Sequence, residues 1–243
     1  MTKVNTIVTK RPFRIVKIER HTHNVKVFTL RPVKKESIHF LPGMFVTMSI
    51  EKDGAKHGPR SYSVSSSPLV SDSIELTIQK VGVFTTELFK LEEGAEVQVQ
   101  GPFGHFTLKE PVGDHLVLIA GGTGIAPMMS ILRYVQDSGK KKRITLLFSC
   151  RTQADIIHKD ELLHRSNEFD DFSYIQTLTR EPQDSNWQGH RGRFNEETLG
   201  LHLHEPEEAE FYICGPADFV KAIGEALDEL EVPAANVRRE QWG

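Results

Sequence analysis

The chain has 243 residues, 38% hydrophobic and 26% charged, with 30 Lys and Arg against 33 Asp and Glu. That composition suits a globular protein of one large domain or two small ones, and excludes disordered, collagen-like and coiled-coil classes. A formal net charge of −3 argues against nucleic acid as the main partner. Up to about residue 109 the pattern is strand-like. Residues 13–18, 25–30 and 74–78 alternate apolar and polar side chains, and 44–50 and 97–99 continue the period of two. Turn signals at Pro42-Gly43, Asp53-Gly54, Gly58-Pro59 and Gly101-Pro102 punctuate them. Short strands with frequent turns predict a closed or sandwiched antiparallel β-domain, interrupted by one helix over about 85–91.

After residue 109 the grammar changes. Residues 110–114 read as a linker; then come a strand at 116–120, a helix at 125–138, a strand at 144–150 and a helix at 155–167. Further strands fall at 172–178 and 211–214, and a helix at about 216–230. These strands are continuous apolar runs, as expected when helices cover both faces of a parallel, doubly wound sheet. The predicted fold is therefore an antiparallel β-barrel over 1–110 followed by an α/β domain over 111–243. Cys150 and Cys214 are too few for a four-thiolate zinc site or a thiolate-held iron–sulfur cluster, and they exclude a fused plant-type ferredoxin domain. No metal site is expected. The absence of a disulfide framework suits a reducing cytoplasm; no run is long enough for a membrane span, and the first residues lack an apolar leader core. Redox chemistry in such a chain would rest on a bound organic cofactor.

Two segments carry chemistry. The strand at 116–120 runs into Gly121-Gly122-Thr123-Gly124-Ile125-Ala126-Pro127. Such a loop is either a tight strand–helix turn or a pyrophosphate site at a helix N-terminus, and Pro127 is tolerated in the first helical turn. Its G-x-G-x-x-P spacing departs from the G-x-G-x-x-G fingerprint. The second segment is Arg60-Ser61-Tyr62-Ser63-Val64-Ser65-Ser66. On a strand, Arg60 and Tyr62 share one face, offering a guanidinium fork and a stacking ring, while Ser61 and Ser63 share the other. A polar edge strand would look the same.

Taken together in order, the motifs resemble the ferredoxin–NADP reductase superfamily of plant-type flavin reductases over essentially the whole chain. The likeness rests on Arg60-Ser61-Tyr62-Ser63, Gly82-Val83-Phe84-Thr85, Gly101-Pro102-Phe103-Gly104, the 121–127 loop, Cys214-Gly215-Pro216 and Glu240-Gln241-Trp242. Met44 stands where the family often has glutamine. The resemblance implies an FAD-binding barrel and a pyridine-nucleotide domain, holding FAD and NADPH, with NADH possible. It implies that Arg60 pairs with the flavin pyrophosphate, Tyr62 stacks on the isoalloxazine and Ser63 hydrogen-bonds near flavin N5. Ser61 lies within that motif, and main-chain groups of Val64, Ser65 and Ser66 would hold the flavin side chain. Gly82, Phe84, Thr85 and Thr86 form a second phosphate grip at a helix expected to open at Thr85. In the nucleotide domain it implies a grip by Gly122, Thr123, Gly124 and Pro127. Cys214, Gly215 and Pro216 would lie beside the nicotinamide, the Glu240 carboxylate would close the site, and Trp242 would cover the flavin. Ser63, Cys214, Glu240 and Trp242 are thus the catalytic candidates.

Similar NADP-using reductases carry arginines where this chain has Arg151, Arg180 and Arg193, and guanidinium forks suit a 2′-phosphate dianion, which favours NADPH. The implied activity is hydride transfer from NAD(P)H to FAD, with electrons passed to a separate ferredoxin, flavodoxin or oxygenase component. A free-flavin reductase and a non-enzymatic electron-transfer or regulatory subunit are the alternatives. The remaining features are bland. His21/His23 and His202/His204 have a spacing that puts both rings on one face of a strand, yet no Cys or carboxylate pattern accompanies them. Residues 140–143 read as solvated turn charge or a contact for an acidic partner. Residues 205–210 read as an exposed loop, and 184–191 as a long loop near the proposed adenosine site.

Overall fold

Residues 10–52 and 54–242 are described by a computed structural model, and they form two six-stranded sheets. The first comprises β1 (Arg11–Arg20), β2 (Val25–Pro32), β3 (Phe45–Lys52), β4 (Ala55–Ser63), β5 (Ile74–Gln79) and β6 (Glu96–Phe103), with helix α1 (Gly82–Leu88) between the last two. All pairings in it are antiparallel, in the order β4-β3-β6-β1-β2-β5. The two ends of that order meet: Val64, one residue past β4, bridges Leu76 of β5, and the Ser65 N–H donates to the Glu75 carbonyl at 2.8 Å. The sheet is thereby a closed barrel, which removes its edges. Its alternating side chains put Phe13, Ile15, Phe28, Leu30, Met48, Leu76 and Val99 in the core.

Helix α1 opens at Gly82, three residues before the expected start. The Thr85 hydroxyl is the cause. It folds back on the preceding turn, accepting from the Val81 N–H and donating to the Val81 carbonyl, both at 2.6 Å.

The second sheet is built from β7 (His115–Gly121), helix α2 (Ile125–Asp137), β8 (Arg143–Cys150), helix α3 (Lys159–Glu168), β9 (Phe172–Leu178), the two-residue β10 (His190–Arg191), helix α4 (Glu196–Gly200), β11 (Glu210–Pro216), helix α5 (Ala217–Glu229) and β12 (Val237–Trp242). Its pairs are all parallel, in the order β10-β9-β8-β7-β11-β12. Every residue of β7 is buried, as its unbroken apolar run requires. The order reverses direction between β7 and β11, and in doubly wound sheets ligands bind in the crevice beyond the strand ends at such a reversal.

Three local expectations change. The helix expected from 155 starts only at Lys159. Asp155 turns backwards, its carboxylate accepting from the Thr152 N–H and hydroxyl at 3.0 and 2.8 Å, and His158 then adopts a left-handed φ of 56°. His21 and His23 lie in the turn between β1 and β2, and His202 and His204 in turns before β11, so neither pair shares a strand face. His202 instead meets His190 of β10, Nε2 to Nε2, at 2.8 Å. The basic turn at 140–143 is partly paired: Lys140 reaches Glu110 at 2.7 Å and Lys142 reaches Asp114 at 2.8 Å.

The chain divides into two compact units, Met1–Leu108 with Met129–Ser138, and Lys109–Met128 with Gly139–Gly243. The second half of α2 therefore belongs with the barrel.

Candidate functional site

In the first unit, β4 presents the Arg60–Ser63 segment. Arg60 and Ser61 are exposed, and Tyr62 and Ser63 are half-buried. One guanidinium nitrogen of Arg60 donates to the Pro59 carbonyl at 3.0 Å. The Tyr62 ring stacks on Phe84 of α1, with centroids 6.1 Å apart and planes 30° apart, and burial holds its hydroxyl well above the usual phenol range. The structure thus brings Tyr62 and the α1 turn together. Among the described residues the Ser63 hydroxyl has no hydrogen-bond partner. A half-buried hydroxyl left this way, on the same strand as an exposed guanidinium and a partly open ring, belongs to a donor set that fits a flavin with its phosphates.

The neighbours in sequence are committed elsewhere. The Val64 N–H donates to the Met44 carbonyl at 2.9 Å, and the Ser65 N–H and hydroxyl both donate to the Glu75 carbonyl. Ser130 donates to the Ser66 carbonyl at 2.7 Å; Arg133 donates to the Ser65 carbonyl at 2.8 Å and to the Glu75 carboxylate at 2.6 Å. Ser65 and Ser66 are buried. Their polar groups hold the seam of the barrel, which narrows what this segment offers a ligand. The grip on α1 is similarly narrowed. The Thr85 hydroxyl is buried and used by Val81, and the Thr86 hydroxyl donates to the Gly82 carbonyl at 2.8 Å. What remains there is the first-turn amides of Gly82, Val83 and Phe84, which have no carbonyl within the helix to bind.

In the second unit the glycine loop follows β7. Gly122 has φ +54° with open space where a Cβ would project, and Gly124 lies so close to β11 that a Cβ there would strike the Cys214 carbonyl. Thr123 is half-buried, and its side chain has no partner among the described residues. Pro127 is in the first turn of α2. Gly215 and Pro216 complete β11. The loop and the C-G-P strand end thus flank the reversal of strand order, with backbone exposed at a helix start, a fit for a dinucleotide pyrophosphate.

Cys214 pairs in register with Glu240 of β12, and its thiol faces the Glu240 carboxylate with Sγ to Oε2 at 3.9 Å. Burial first, and then the Glu240 charge, push the thiol well above its ordinary range, so at neutral pH it is an uncharged donor rather than a thiolate nucleophile. Trp242 ends β12 opposite Pro216, with 41% of its surface exposed.

Arg151 and Arg180 follow β8 and β9, and Arg193 follows β10 by two residues; all three are exposed. The Arg180 N–H donates to the Arg151 carbonyl at 2.8 Å, which joins the first two at neighbouring strand ends. None has a side-chain partner to another charged group among the described residues. The sequence reading missed Arg191. Its guanidinium is a strut, donating to the Pro182 carbonyl at 2.8 Å, the Ser185 hydroxyl at 3.1 Å and the Trp187 carbonyl at 3.0 Å. Among the described residues no cluster of three metal-ligating side chains exists, and no helix is long and apolar enough to cross a membrane.

Comparisons with known proteins agree with this geometry. Residues 12–108 match the oxidoreductase FAD-binding domain and residues 118–225 the oxidoreductase NAD-binding domain. Sulfhydrogenase 1 subunit gamma of Pyrococcus furiosus is 34% identical over 221 residues, which cover 88% of this chain and 73% of that protein. The chain belongs to the ferredoxin–NADP reductase superfamily. Within this superfamily it is also similar to the glycine betaine monooxygenase reductase subunit of Pseudomonas aeruginosa, 33% identical over 95% of this chain. The chain spans 63% of the length of that relative. The superfamily fold is equally plain in three dimensions: the FAD/NAD-binding domain of a nitric oxide dioxygenase from Vibrio cholerae superposes with a TM-score of 0.87 at 21% identity, covering 96% of this chain and 98% of that one.

Proposed function

We propose that this chain is a reductase that moves a hydride from NAD(P)H, with NADPH favoured, to FAD and passes electrons to a separate acceptor protein in the cytoplasm. In this reading residues 1–110 are the flavin domain and 111–243 the nucleotide domain. The observation that carries it is the glycine loop closing on Cys214, with the Glu240 carboxylate on the neighbouring strand, at the point where the strand order reverses. Bound FAD would supply the chemistry of accepting two electrons together and releasing them singly.

The chain's own residues bind, orient and exclude water. Arg60 and the first turn of α1 hold phosphate, Tyr62 supplies a flat apolar face, and the Ser63 hydroxyl donates at the reacting edge of the ring system. Gly122, Thr123 and Gly124 seat the nucleotide pyrophosphate at the start of α2, with Pro127 fixing the first turn. The neutral Cys214 thiol packs beside the nicotinamide without adding charge, and Glu240 orients that thiol. Trp242 is assigned the covering ring that the nicotinamide displaces. A hydride moves efficiently only when donor and acceptor atoms are held about 3–3.5 Å apart, so these contacts act by positioning. Arg151, Arg180 and Arg193 read the 2′-phosphate. The reductase subunit of a monooxygenase and the gamma subunit of a sulfhydrogenase among the relatives support an acceptor carried by another chain, of ferredoxin, flavodoxin or oxygenase-component type.

The test is an anaerobic titration of the purified chain followed by its visible spectrum. A bound flavin bleached rapidly by NADPH, and more slowly by NADH, is the expected result. Bound FAD that neither nucleotide bleaches would overturn the reductase reading, and flavin that binds only transiently as a substrate would replace it with free-flavin reduction.

A further inference from the structure

We infer that Gln153 is a specificity-determining residue, because it fixes the Glu181 carboxylate and so keeps it from pairing with the arginines that would meet the 2′-phosphate of a nucleotide. The inference rests on the preference for NADPH proposed above. Arg180 and Glu181 are adjacent in sequence. A carboxylate at the end of this strand has two ordinary uses: pairing with an arginine, or accepting from the 2′- and 3′-hydroxyls of an NADH ribose. Here both oxygens are taken by Gln153, and the arginine whose charge acts on the carboxylate is Arg191, not its neighbour Arg180. The Glu181 Oε2 accepts from the Gln153 main-chain N–H at 2.8 Å, and its Oε1 accepts from the Gln153 side-chain amide at 2.7 Å.

The clamp is held from both sides. Gln153 opens the short turn after β8, fixed by reciprocal bonds between Thr152 and Asp155. The same Gln153 amide donates to Asn186 at 3.1 Å, so the turn after β8 grips the loop after β9 at two places. Arg191 then ties Pro182, Ser185 and Trp187 from within that loop. The bonds from Gln153 favour the ionised form and hold the Glu181 carboxyl below the usual carboxylate range. The carboxylate is therefore charged but already satisfied, while Arg151, Arg180 and Arg193 lack side-chain partners among the described residues. Releasing Glu181 would give these guanidinium groups an internal competitor for the phosphate, and would give an unphosphorylated ribose an acceptor.

The test uses the full chain and measures dissociation constants by calorimetry for adenosine 2′,5′-bisphosphate and adenosine 5′-monophosphate. Q153A should weaken the bisphosphate about fivefold, the scale of one exposed ion pair, and leave the monophosphate unchanged or slightly tighter. Adding E181Q to Q153A should restore the bisphosphate affinity, since the competing charge is gone. Q153M, closer in volume, serves the same purpose if Q153A does not fold. No selective loss, equal loss for both ligands, or no rescue by E181Q would overturn the inference and leave Gln153 a loop-packing residue. If the unaltered chain binds the bisphosphate no more tightly than the monophosphate, the NADPH preference itself fails, a result read before any variant is made.

Discussion

The two halves of the parallel sheet end in opposite chemistries. Beyond β8, β9 and β10 stand three exposed arginines without side-chain partners among the described residues, with the adjacent carboxylate already bound by Gln153. Beyond β7, β11 and β12 lie the glycine loop, in which Gly124 is packed against the Cys214 carbonyl, and an uncharged buried thiol that faces the Glu240 carboxylate. On the proposed reading the first half recognises the charge of the nucleotide and the second positions its pyrophosphate and nicotinamide. Binding selectivity and chemical rate should therefore respond to different substitutions.

The largest effect is expected at the Cys214 half. Cys214→Ala removes the thiol packed against Glu240, and should slow flavin reduction in stopped-flow measurements about a hundredfold while leaving the KM for NADPH nearly unchanged. A rise in KM with no change in rate would erase the distinction between the two halves.

Next comes a test of the sheet itself, at the other end of β7. His115 is buried, with its Nε2 3.0 Å from the Thr145 hydroxyl and its Nδ1 unpartnered among the described residues. Burial, and then the charge of Arg143, lower its pKa from 6.5 to about 4. The unfolded chain thus takes up a proton that the folded chain refuses, so this contribution is intact above pH 6.5 and is lost as the pH falls towards 4. Between pH 7 and 4.5 it should amount to about 2 kcal/mol, seen in denaturant midpoints and reduced in His115→Gln. A variant with the same acid sensitivity as the parent would refute the assignment.

A smaller, more selective effect belongs to the charged half. Arg180→Ala should raise the KM for NADPH well over about tenfold, the scale of a charge-assisted hydrogen bond, and barely alter that for NADH. Equal effects on both nucleotides would show that the arginine edge does not read the 2′-phosphate. Smallest of all, Ser63→Ala should weaken flavin binding only a few-fold, about one hydrogen bond's worth, in equilibrium dialysis; unchanged affinity and an unchanged flavin spectrum would count against its placement at the ring.

Legibility from sequence followed locality. The apolar run of β7 and the alternation of β1, β2 and β5 announced themselves because the apolar residues of each strand enter the core, Phe13 and Ile15 in β1 among them. Strand β12 did not: Val237-Arg238-Arg239-Glu240-Gln241-Trp242 is half-exposed and carries no period. Glu240 was singled out only through the family resemblance, and its reason, register against Cys214, is a fact of pairing. Asp155 looked like the beginning of a helix because an acidic residue before an apolar stretch usually caps forwards, whereas here it caps Thr152. The Gln153–Glu181 clamp joins residues 28 positions apart, and no local pattern announces it. The assignment of Ser65 and Ser66 to the flavin treated their polar groups as available; closure of the barrel uses most of them.

That closure bears on how the chain can be divided. The carbonyls of Ser65 and Ser66 are buried, and their donors, Arg133 and Ser130, come from α2, beyond the linker at 110–114. A fragment ending at residue 108 would keep every strand of the barrel yet lose the helix whose Ser130 and Arg133 bond these carbonyls, the latter also pairing with Glu75. The barrel is thus not a module that gene fusion can move intact by cutting at the linker. A graft that swaps nucleotide domains between relatives would have to carry residues 129–138 along with the flavin half, and the transferable unit in recombination is discontinuous in the gene.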